Sequence, residues 1–205
     1  KPKQTKSKKL EKETDLQKLQ EYIQIQKEGT KSLSDIINAL LEIAKVESGK
    51  DIQQDKVRID ELLYDISDEL SALYPDFRCS IEYADSIEDE AMLTVSGNSK
   101  LIKVALSNLM INCLQYSSDG NVKISISQKN NFLLIEYQNK GKTINPDEQQ
   151  YLFQHFFRGE NSKGKRGFGL GLVMVHKILA LHNGQINYTT EDADTNRFSV
   201  LLPLS

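Results

Sequence analysis

The sequence predicts an α+β fold: a mixed, mostly antiparallel sheet with helices on one face, preceded by a long stalk helix. Three observations support this prediction. Hydrophobic residues make up 39% of the 205 residues, enough for one core, which argues against a disordered chain. Up to about residue 45, apolar residues recur in alternating three- and four-residue steps, as in a heptad helix. Beyond residue 57, short strand patterns and amphipathic helical patterns are interspersed without an internal repeat.

The stalk helix needs a partner. From Leu33 onward its apolar stripe widens, because Ile36, Leu41 and Ile43 join it, and one helix cannot bury so wide a stripe alone. Ser48-Gly49 is expected to end the helix. We therefore divide the chain into a helical unit (1–50), a linker (51–56) and a globular domain (57–205). The predicted seam consists of Leu16, Leu19, Ile23, Gln26, Thr30, Leu33, Ile37, Leu40 and Ala44.

Helix and strand patterns also divide the globular domain. Asp60 is predicted to cap a helix that ends near Leu73, and a long helix is predicted to begin at Asn98 or Ser99. The inward face of the first helix is predicted to be Leu62, Leu63, Ile66 and Leu70. The other predicted elements are strands at 80–83 and 93–95, a hairpin of 121–127 and 132–137, a helix at 172–181, and strands at 186–189 and 198–202.

The charge and the composition argue against several classes of protein. The net charge of −3 gives no reason to expect a nucleic-acid partner. No apolar run approaches the roughly 18 residues of a membrane span. The chain opens with Lys1-Pro2-Lys3 and has no secretory signal there. We expect this part of the protein to be cytoplasmic. Any inner-membrane anchor would lie in other parts of a longer parent protein. Cys79 and Cys113 lack metal-ligand spacing and are expected to be reduced thiols.

Glycines concentrate between residues 159 and 171. The run from Gly159 through Gly164 and Lys165 nearly fits a P-loop, but Arg166 has no hydroxyl for magnesium and no buried strand precedes the run. The run Gly167-Phe-Gly169-Leu170-Gly171-Leu172 leads directly into a helix. Glycines allow close approach of the backbone, and a helix start offers N–H groups to a phosphate chain. The alternative interpretation is a flexible loop with a glycine-rich helix entry.

Two further elements carry polar side chains. Asn108 and Asn112 lie one turn apart on an apolar helix, and a carboxamide oxygen can bind magnesium. The alternative is two partly exposed or capped asparagines. Asn139 and Gly141 close a strand ahead of Ile144, where a short polar side chain can reach a purine amino group. The alternative there is an ordinary turn.

The order of these elements resembles the sensor histidine kinases. Their N, G1, F and G2 boxes are similar to the segments at 108–112, 139–144, 153–158 and 167–172. Leu181-His182-Asn-Gly184 is similar to the family's closing A-H-G-G, and residues 36–50 look like the end of the second stalk helix. The resemblance implies the Bergerat ATP-binding fold and makes residues 1–50 part of a dimerisation and histidine-phosphotransfer helix.

The resemblance also implies roles for individual residues. Asn112 would bind Mg²⁺ with Asn108 beside it, and Asn139 would contact the adenine amino group. Gly141 and Ile144 would shape the base pocket, with Tyr116 near the nucleotide. The phosphates and the hinge of the lid would be formed by Gly167, Gly169 and Gly171, and Gln115, Leu170 and Leu172 complete the ATP-binding set. Phe153, Phe156 and Phe157 would fasten the root of the lid, and Arg158 would approach the phosphates or the stalk.

The sequence departs from the family pattern in three respects. Asn139 stands where an aspartate is usual, with Thr143 at a usual glycine, and Gln115 replaces a lysine near the phosphates. No histidine precedes His155, so the phospho-acceptor is absent here. Its helix is expected upstream of Lys1, and true loss of the acceptor is the alternative. His155 and His176 are predicted to be surface or packing residues. His182 is predicted to pack or hydrogen-bond at a helix end.

The resemblance therefore implies an ATP-dependent protein histidine kinase. It would bind Mg-ATP, transfer the γ-phosphate to a stalk histidine and relay it to an aspartate of a response-regulator receiver domain. The stalk helix would form a homodimer. A nucleotide-sensing pseudokinase or scaffold is the alternative that the departures leave open. An anti-sigma-factor serine kinase shares the pocket but lacks a stalk.

Overall fold

A computed structural model describes residues 54–85, 87–162, 165 and 168–205, together with nine single residues between 19 and 44. The chain divides into two compact units, Lys1–Asn38 and Ala39–Ser205. All nine single residues are helical, and four apolar ones are about half exposed: Leu19, Ile23, Ile37 and Leu41. Of the predicted seam, Gln26, Thr30 and Ala44 are also helical and exposed, whereas Leu16, Leu33, Leu40 and the end at Ser48-Gly49 lie outside the described residues.

The globular domain alternates strands and helices. The strands are β1 (Asp55–Arg58), β2 (Arg78–Tyr83), β3 (Thr94–Gly97), β4 (Asn121–Lys129), β5 (Phe132–Lys140), β6 (Gln185–Thr190) and β7 (Thr195–Pro203). The helices are α1 (Ile59–Leu73), α2 (Ser99–Tyr116), α3 (Pro146–Gln149) and α4 (Gly171–Leu181), and short 3₁₀ turns occupy Glu90–Leu93 and Glu160–Ser162.

The main sheet has five strands in the order β2-β4-β5-β7-β6. β2 and β4 are parallel, and every other pair in this sheet is antiparallel. β1 and β3 form a separate antiparallel pair. The sheet is therefore mixed and mostly antiparallel, as predicted.

Strict alternation of side chains gives the sheet one buried face. On β5 the inward residues are Leu133, Ile135, Tyr137 and Asn139, and on β7 they are Asn196, Phe198, Val200 and Leu202. Helices α2 and α4 cover this face, and α1 packs against α2. Because each of these elements buries apolar side chains on a single face, the strand and helix periods can both be recognised from the sequence.

Helix α2 begins where predicted because Asn98 caps it. The Asn98 Oδ1 accepts a hydrogen bond from the backbone N–H of Leu101 at 3.1 Å. The β4–β5 hairpin turns at Asn130, which has a φ of 55°, a conformation that asparagine tolerates better than most residues do.

Cys79 and Cys113 are both free thiols, as expected. Among the described helices, none is long and apolar enough to cross a membrane.

Two details of the prediction were wrong. Asp60 does not cap α1, since the helix begins at Ile59 and its N-cap is Arg58. The Asp60 carboxylate instead accepts two hydrogen bonds from the Arg58 guanidinium, at 2.9 and 2.7 Å, and that guanidinium also binds Glu90. Leu93 ends a 3₁₀ turn rather than starting a strand, because Asp89 caps that turn at the N–H of Ala91. Of the predicted inward face of α1, Leu62 is only half-buried.

A buried histidine joins the end of α4 to the start of α2, confirming the prediction for His182. Its Nε2 accepts from the backbone N–H of Asn98 at 3.0 Å, and its Nδ1 lies 2.7 Å from the carbonyl oxygen of Ile178. The ring is therefore the neutral tautomer with its proton on Nδ1. Burial lowers the pKa of His182, although the hydrogen bond to Ile178 opposes this shift.

Lowering the pH is expected to weaken the domain through His182. Because its folded-state pKa lies below the ordinary value of about 6.5, the unfolded chain binds this proton more readily. The stabilising contribution is complete above about pH 6.5 and is lost as the pH falls toward the folded-state pKa. Urea unfolding at several pH values should show that His182→Gln loses less free energy of unfolding on acidification than the unsubstituted chain does. An unchanged pH dependence in His182→Gln would show that His182 does not carry this sensitivity to acid.

Candidate functional site

Two carboxamides lie half-buried on one face of α2, as their spacing predicts. The Asn108 Nδ2 donates to the carbonyl oxygen of Val104 in its own helix at 2.8 Å, which fixes the orientation of the amide. A Cβ atom on Gly171, the first residue of α4, would lie 3.3 Å from the Asn108 Oδ1. The start of α4 therefore contacts the carboxamide row of α2.

The same junction has unused hydrogen-bonding capacity. The Asn112 carboxamide makes no hydrogen bond to any described residue. Leu170, the N-cap of α4, provides no side-chain cap to the first N–H groups of that helix. A hard oxygen ligand and free N–H donors together are the chemistry that suits Mg²⁺ and a phosphate chain.

Gly169 lets two loop segments meet backbone to backbone. It has a φ of +68°, and a Cβ there would lie 2.6 Å from the carbonyl oxygen of Phe157. The Gly169 carbonyl accepts from the backbone N–H of Phe156 at 3.1 Å. The predicted F and G2 segments are therefore in contact, with Leu170 and Leu172 half-buried at the start of α4. Gly167, also predicted for this site, lies outside the described residues.

Two of the three predicted lid-root phenylalanines pack as expected. Phe153 stacks on His176 with ring centroids 5.5 Å apart, and Phe157 packs on Tyr151 at 5.8 Å. The prediction for Phe156 was wrong, because its side chain is 73% exposed. Its φ of 63° turns the ring outward while its N–H holds Gly169, so Phe156 contributes through its backbone.

The end of β5 contacts the end of α2. Asn139 is buried, and its Nδ2 donates to the carbonyl oxygen of Lys140 at 3.2 Å, leaving Oδ1 as an acceptor. Gly141 has a φ of +154°, and a Cβ there would lie 2.2 Å from the carbonyl oxygen of Tyr116. Only glycine allows this approach, so the structure brings Asn139, Gly141 and Tyr116 together.

A hydrogen-bonded network that the sequence analysis missed holds the loop after Gly141. The Tyr188 hydroxyl accepts from the N–H of Ile144 at 3.0 Å and donates to the Asn196 Oδ1 at 2.7 Å. The Asn196 Nδ2 donates to the carbonyl oxygen of Gly141 at 3.2 Å. Asn196 also pairs with Asn139 across β5 and β7. The sequence feature that could have revealed this network is Asn196, a polar residue at an inward position of β7.

The segment after Phe157 reaches Tyr116. The Arg158 Nη2 donates to the carbonyl oxygen of Ser162 at 3.1 Å and to that of Lys165, so it organises this segment. Burial raises the pKa of the Tyr116 phenol, while Arg158 and a hydrogen bond with Ser162 oppose that shift. The Lys165 ammonium donates to the backbone carbonyl of Gln115.

These groups follow one edge of α2. The loop at Gly141 lies at Tyr116, the carboxamide of Asn112 lies one turn back, and the start of α4 lies beside Asn108. Eight residues of helix correspond to about 12 Å. The arrangement suits an extended ligand with a hydrogen-bonding ring at one end and anionic oxygens at the other.

Removing the Tyr188 hydroxyl is expected to destabilise the loop. Tyr188→Phe leaves the N–H of Ile144 and the Oδ1 of Asn196 without their partner, and an unpaired buried group costs about 1–3 kcal/mol. Urea unfolding should show a loss of this size. Tyr64→Phe is the matched control, because Tyr64 is about half exposed and its hydroxyl reaches only the Tyr83 hydroxyl, at 3.5 Å. Equal stabilities of the two variants would show that the network does not hold the loop.

Comparisons with known proteins identify the family and the fold. The model of the family described as histidine kinase-, DNA gyrase B-, and HSP90-like ATPase matches residues 97–205. The heme sensor protein HssS of Staphylococcus aureus is 28% identical over 186 residues, or 90% of this chain, which spans 39% of that protein's length.

Solved structures share the fold. The catalytic domain of histidine kinase ThkA is similar with a TM-score of 0.64 and 20% identity, covering 75% of this chain and 97% of that one. Full-length ShkA in complex with AMPPNP has a TM-score of 0.66 and 19% identity, covering 84% of this chain and 36% of that one. The chain belongs to the histidine kinase-, DNA gyrase B- and HSP90-like ATPases and has the fold of histidine kinase catalytic domains, as its motifs indicate.

Proposed function

We propose that this domain binds Mg-ATP and transfers the γ-phosphate to a stalk histidine, for relay to a response-regulator aspartate. One observation carries the proposal: the carboxamide row of α2 meets the uncapped start of α4, where Asn108 lies against Gly171. Membership of the ATPase family supports the nucleotide. The similarity to HssS supports a sensor kinase as the parent.

The base of the nucleotide lies at the end of β5 in this proposal. The Asn139 Oδ1 accepts from the adenine amino group, because the Nδ2 of the same amide is already bound to Lys140. Gly141 and Ile144 form the wall that the Tyr188–Asn196 network supports. A neutral amide forms a weaker hydrogen bond here than a carboxylate would.

The phosphates extend from Tyr116 toward Asn108 along α2. Asn112, assisted by Asn108, fits a magnesium ion through its oxygen, and the backbone at Gly169 and Gly171 leaves room for phosphate oxygens. When bound, the metal neutralises phosphate charge. Gly167, Leu170 and Leu172 complete the cradle, and the protein contributes positioning and electrostatic stabilisation.

The phospho-acceptor lies outside these 205 residues. The chain has three histidines, and His182 has both ring nitrogens engaged while His176 stacks on Phe153. His155 lies in the F segment, away from the carboxamide row in sequence, and we assign it no transfer role. The partners we propose are a second copy through the stalk and a receiver domain, with the catalytic domain on the cytoplasmic side.

A second candidate function is nucleotide sensing without transfer. Asn139 favours it, because the base end of the site offers a neutral amide and not a carboxylate. The two candidates differ in phosphotransfer and not in binding.

Magnesium-dependent binding tests the site directly. Losing even a residue that supports a metal ligand typically costs about tenfold in metal affinity, so Asn112→Ala should weaken Mg-ATP binding at least that much. The difference between titrations with magnesium and with EDTA should also shrink in this variant. Isothermal calorimetry measures both. Asn187→Ala, at an exposed position of β6, should bind like the unsubstituted chain. If Asn112→Ala and Asn187→Ala bind equally, Asn112 is not the metal ligand.

Phosphotransfer separates the kinase from the sensor. Incubated alone with γ-labelled ATP, the 205-residue chain should take up no label. Supplied with a dimeric stalk from its parent that carries the acceptor histidine, it should produce acid-labile, base-stable label on that stalk. Mg-ATP binding without any transfer to the intact stalk would favour the nucleotide-sensing alternative.

A further inference from the structure

The base end of the proposed site contains a carboxamide with unused hydrogen-bonding capacity. Asn139 is only 4% exposed. Its Nδ2 donates to the carbonyl oxygen of Lys140 at 3.2 Å, and its Oδ1 accepts no hydrogen bond from any described residue. An amide nitrogen carries two N–H groups, and an amide oxygen accepts hydrogen bonds. Asn139 therefore has one N–H donor and its acceptor oxygen left for a ligand.

The backbone donors beside this carboxamide are already used inside the protein. The N–H of Gly141 donates to the carbonyl oxygen of Asp194 at 2.7 Å. The N–H of Ile144 donates to the Tyr188 hydroxyl at 3.0 Å. Neither of these two residues, which we assign to the base pocket, has an N–H to offer a base. The choice between bases therefore depends on Asn139.

The buried polar side chains at this end are neutral. The residue that pairs with Asn139 across β5 and β7 is Asn196, a second carboxamide that is only 3% exposed. In the described part of the chain, Asp60 is the only buried acidic residue, and it lies at the start of α1, where the Arg58 guanidinium binds it. No buried carboxylate of the described residues is therefore available to select a base.

A carboxamide can accept more bases than a carboxylate can. Adenine presents an amino donor at position 6 beside a ring acceptor, whereas a 6-oxopurine presents a carbonyl acceptor beside a ring N–H donor. A carboxylate only accepts hydrogen bonds, so it repels the carbonyl oxygen of a 6-oxopurine and excludes that base. A carboxamide offers a donor and an acceptor side by side, and these can satisfy either pair of groups.

We propose that Asn139 sets the base selectivity of the nucleotide site, and that the site binds 6-oxopurine nucleoside triphosphates as well as adenine ones. With adenine, the Oδ1 accepts from the amino group and the remaining N–H of the Nδ2 donates to the ring nitrogen. With a 6-oxopurine, the Oδ1 accepts from the ring N–H and the same Nδ2 donates to the carbonyl oxygen. The hydrogen bond to Lys140 is kept in both cases. This inference rests on the proposed function and widens the substrate class of that site.

Calorimetric titrations with Mg-ATP and with the magnesium complex of inosine triphosphate (Mg-ITP) test the selectivity. Hypoxanthine, the base of ITP, has the carbonyl and the ring N–H but lacks the 2-amino group of guanine, so the size of the pocket is not tested at the same time. The two Kd values of the unsubstituted chain should lie within about tenfold of each other. Asn139→Asp should raise the Kd for Mg-ITP at least about tenfold relative to that for Mg-ATP, because an acceptor then faces the carbonyl oxygen.

Two further variants control for charge and for folding. Asn187→Asp adds the same charge at an exposed position of β6 and should leave the ratio of the two Kd values unchanged. Asn139→Ala, which replaces Asn139→Asp if a buried carboxylate prevents folding, removes both groups and should weaken both nucleotides by a similar factor. Because both nucleotides are titrated into the same preparation, a loss of stability alone does not change their ratio.

Failure of the inference and failure of the proposed function give different results. A preference of the unsubstituted chain for Mg-ATP far beyond about tenfold would overturn the inference and leave the proposed function intact. An unchanged ratio of the two Kd values in a folded Asn139→Asp would also overturn it, because Asn139 would then not set the selectivity. Absence of binding of either nucleotide to the unsubstituted chain would overturn the proposed function itself.

Discussion

Backbone segments approach α2 and each other so closely at three points that a side chain has little or no room. A Cβ atom at Gly141 would lie 2.2 Å from the Tyr116 carbonyl, and one at Gly169 would lie 2.6 Å from that of Phe157. Gly171 brings the start of α4 against Asn108. These approaches align the loop after β5, the F segment and the start of α4 along one helix. The candidate site exists because that alignment places complementary polar groups on one edge of α2.

The segment after Phe157 brings positive charge close to Tyr116. Position 139 carries a neutral amide and position 115 carries glutamine, so the strand end and the helix both lack charges that the resemblance leads one to expect. Lys165 places its ammonium 5.3 Å from the centroid of the Tyr116 ring, and Arg158 binds backbone carbonyls of the same segment.

Most of the fold was predictable because its information is local. Alternating burial defined β5 and β7, helical periodicity defined α1, α2 and α4, and Asn98 marked a helix start through its own capping bond. The prediction that Asp60 caps α1 was wrong because its carboxylate accepts hydrogen bonds from Arg58. Helix-capping rules do not take such a pairing into account.

The rest of the site depends on contacts between distant segments. Asn196 reaches Gly141 across 55 residues only because β5 and β7 pair in one register. Lys165 reaches Gln115 across 50 residues from a loop without periodicity. The outward turn of Phe156 follows from a positive φ that a bulky residue rarely adopts. Patterns in the sequence do not reveal these contacts between distant segments.

The central claim is that the α2 carboxamides and the glycines at the start of α4 surround one metal–nucleotide complex. Paramagnetic broadening by Mn²⁺-ATP in a two-dimensional amide NMR spectrum tests it most directly. The account predicts that the signals of Asn108, Asn112, Gly169 and Gly171 broaden first, and that those of the exposed β6 residues at 187 and 189 persist. Broadening of the β6 signals without effect on α2, or no change at saturating Mn²⁺-ATP, would contradict the account.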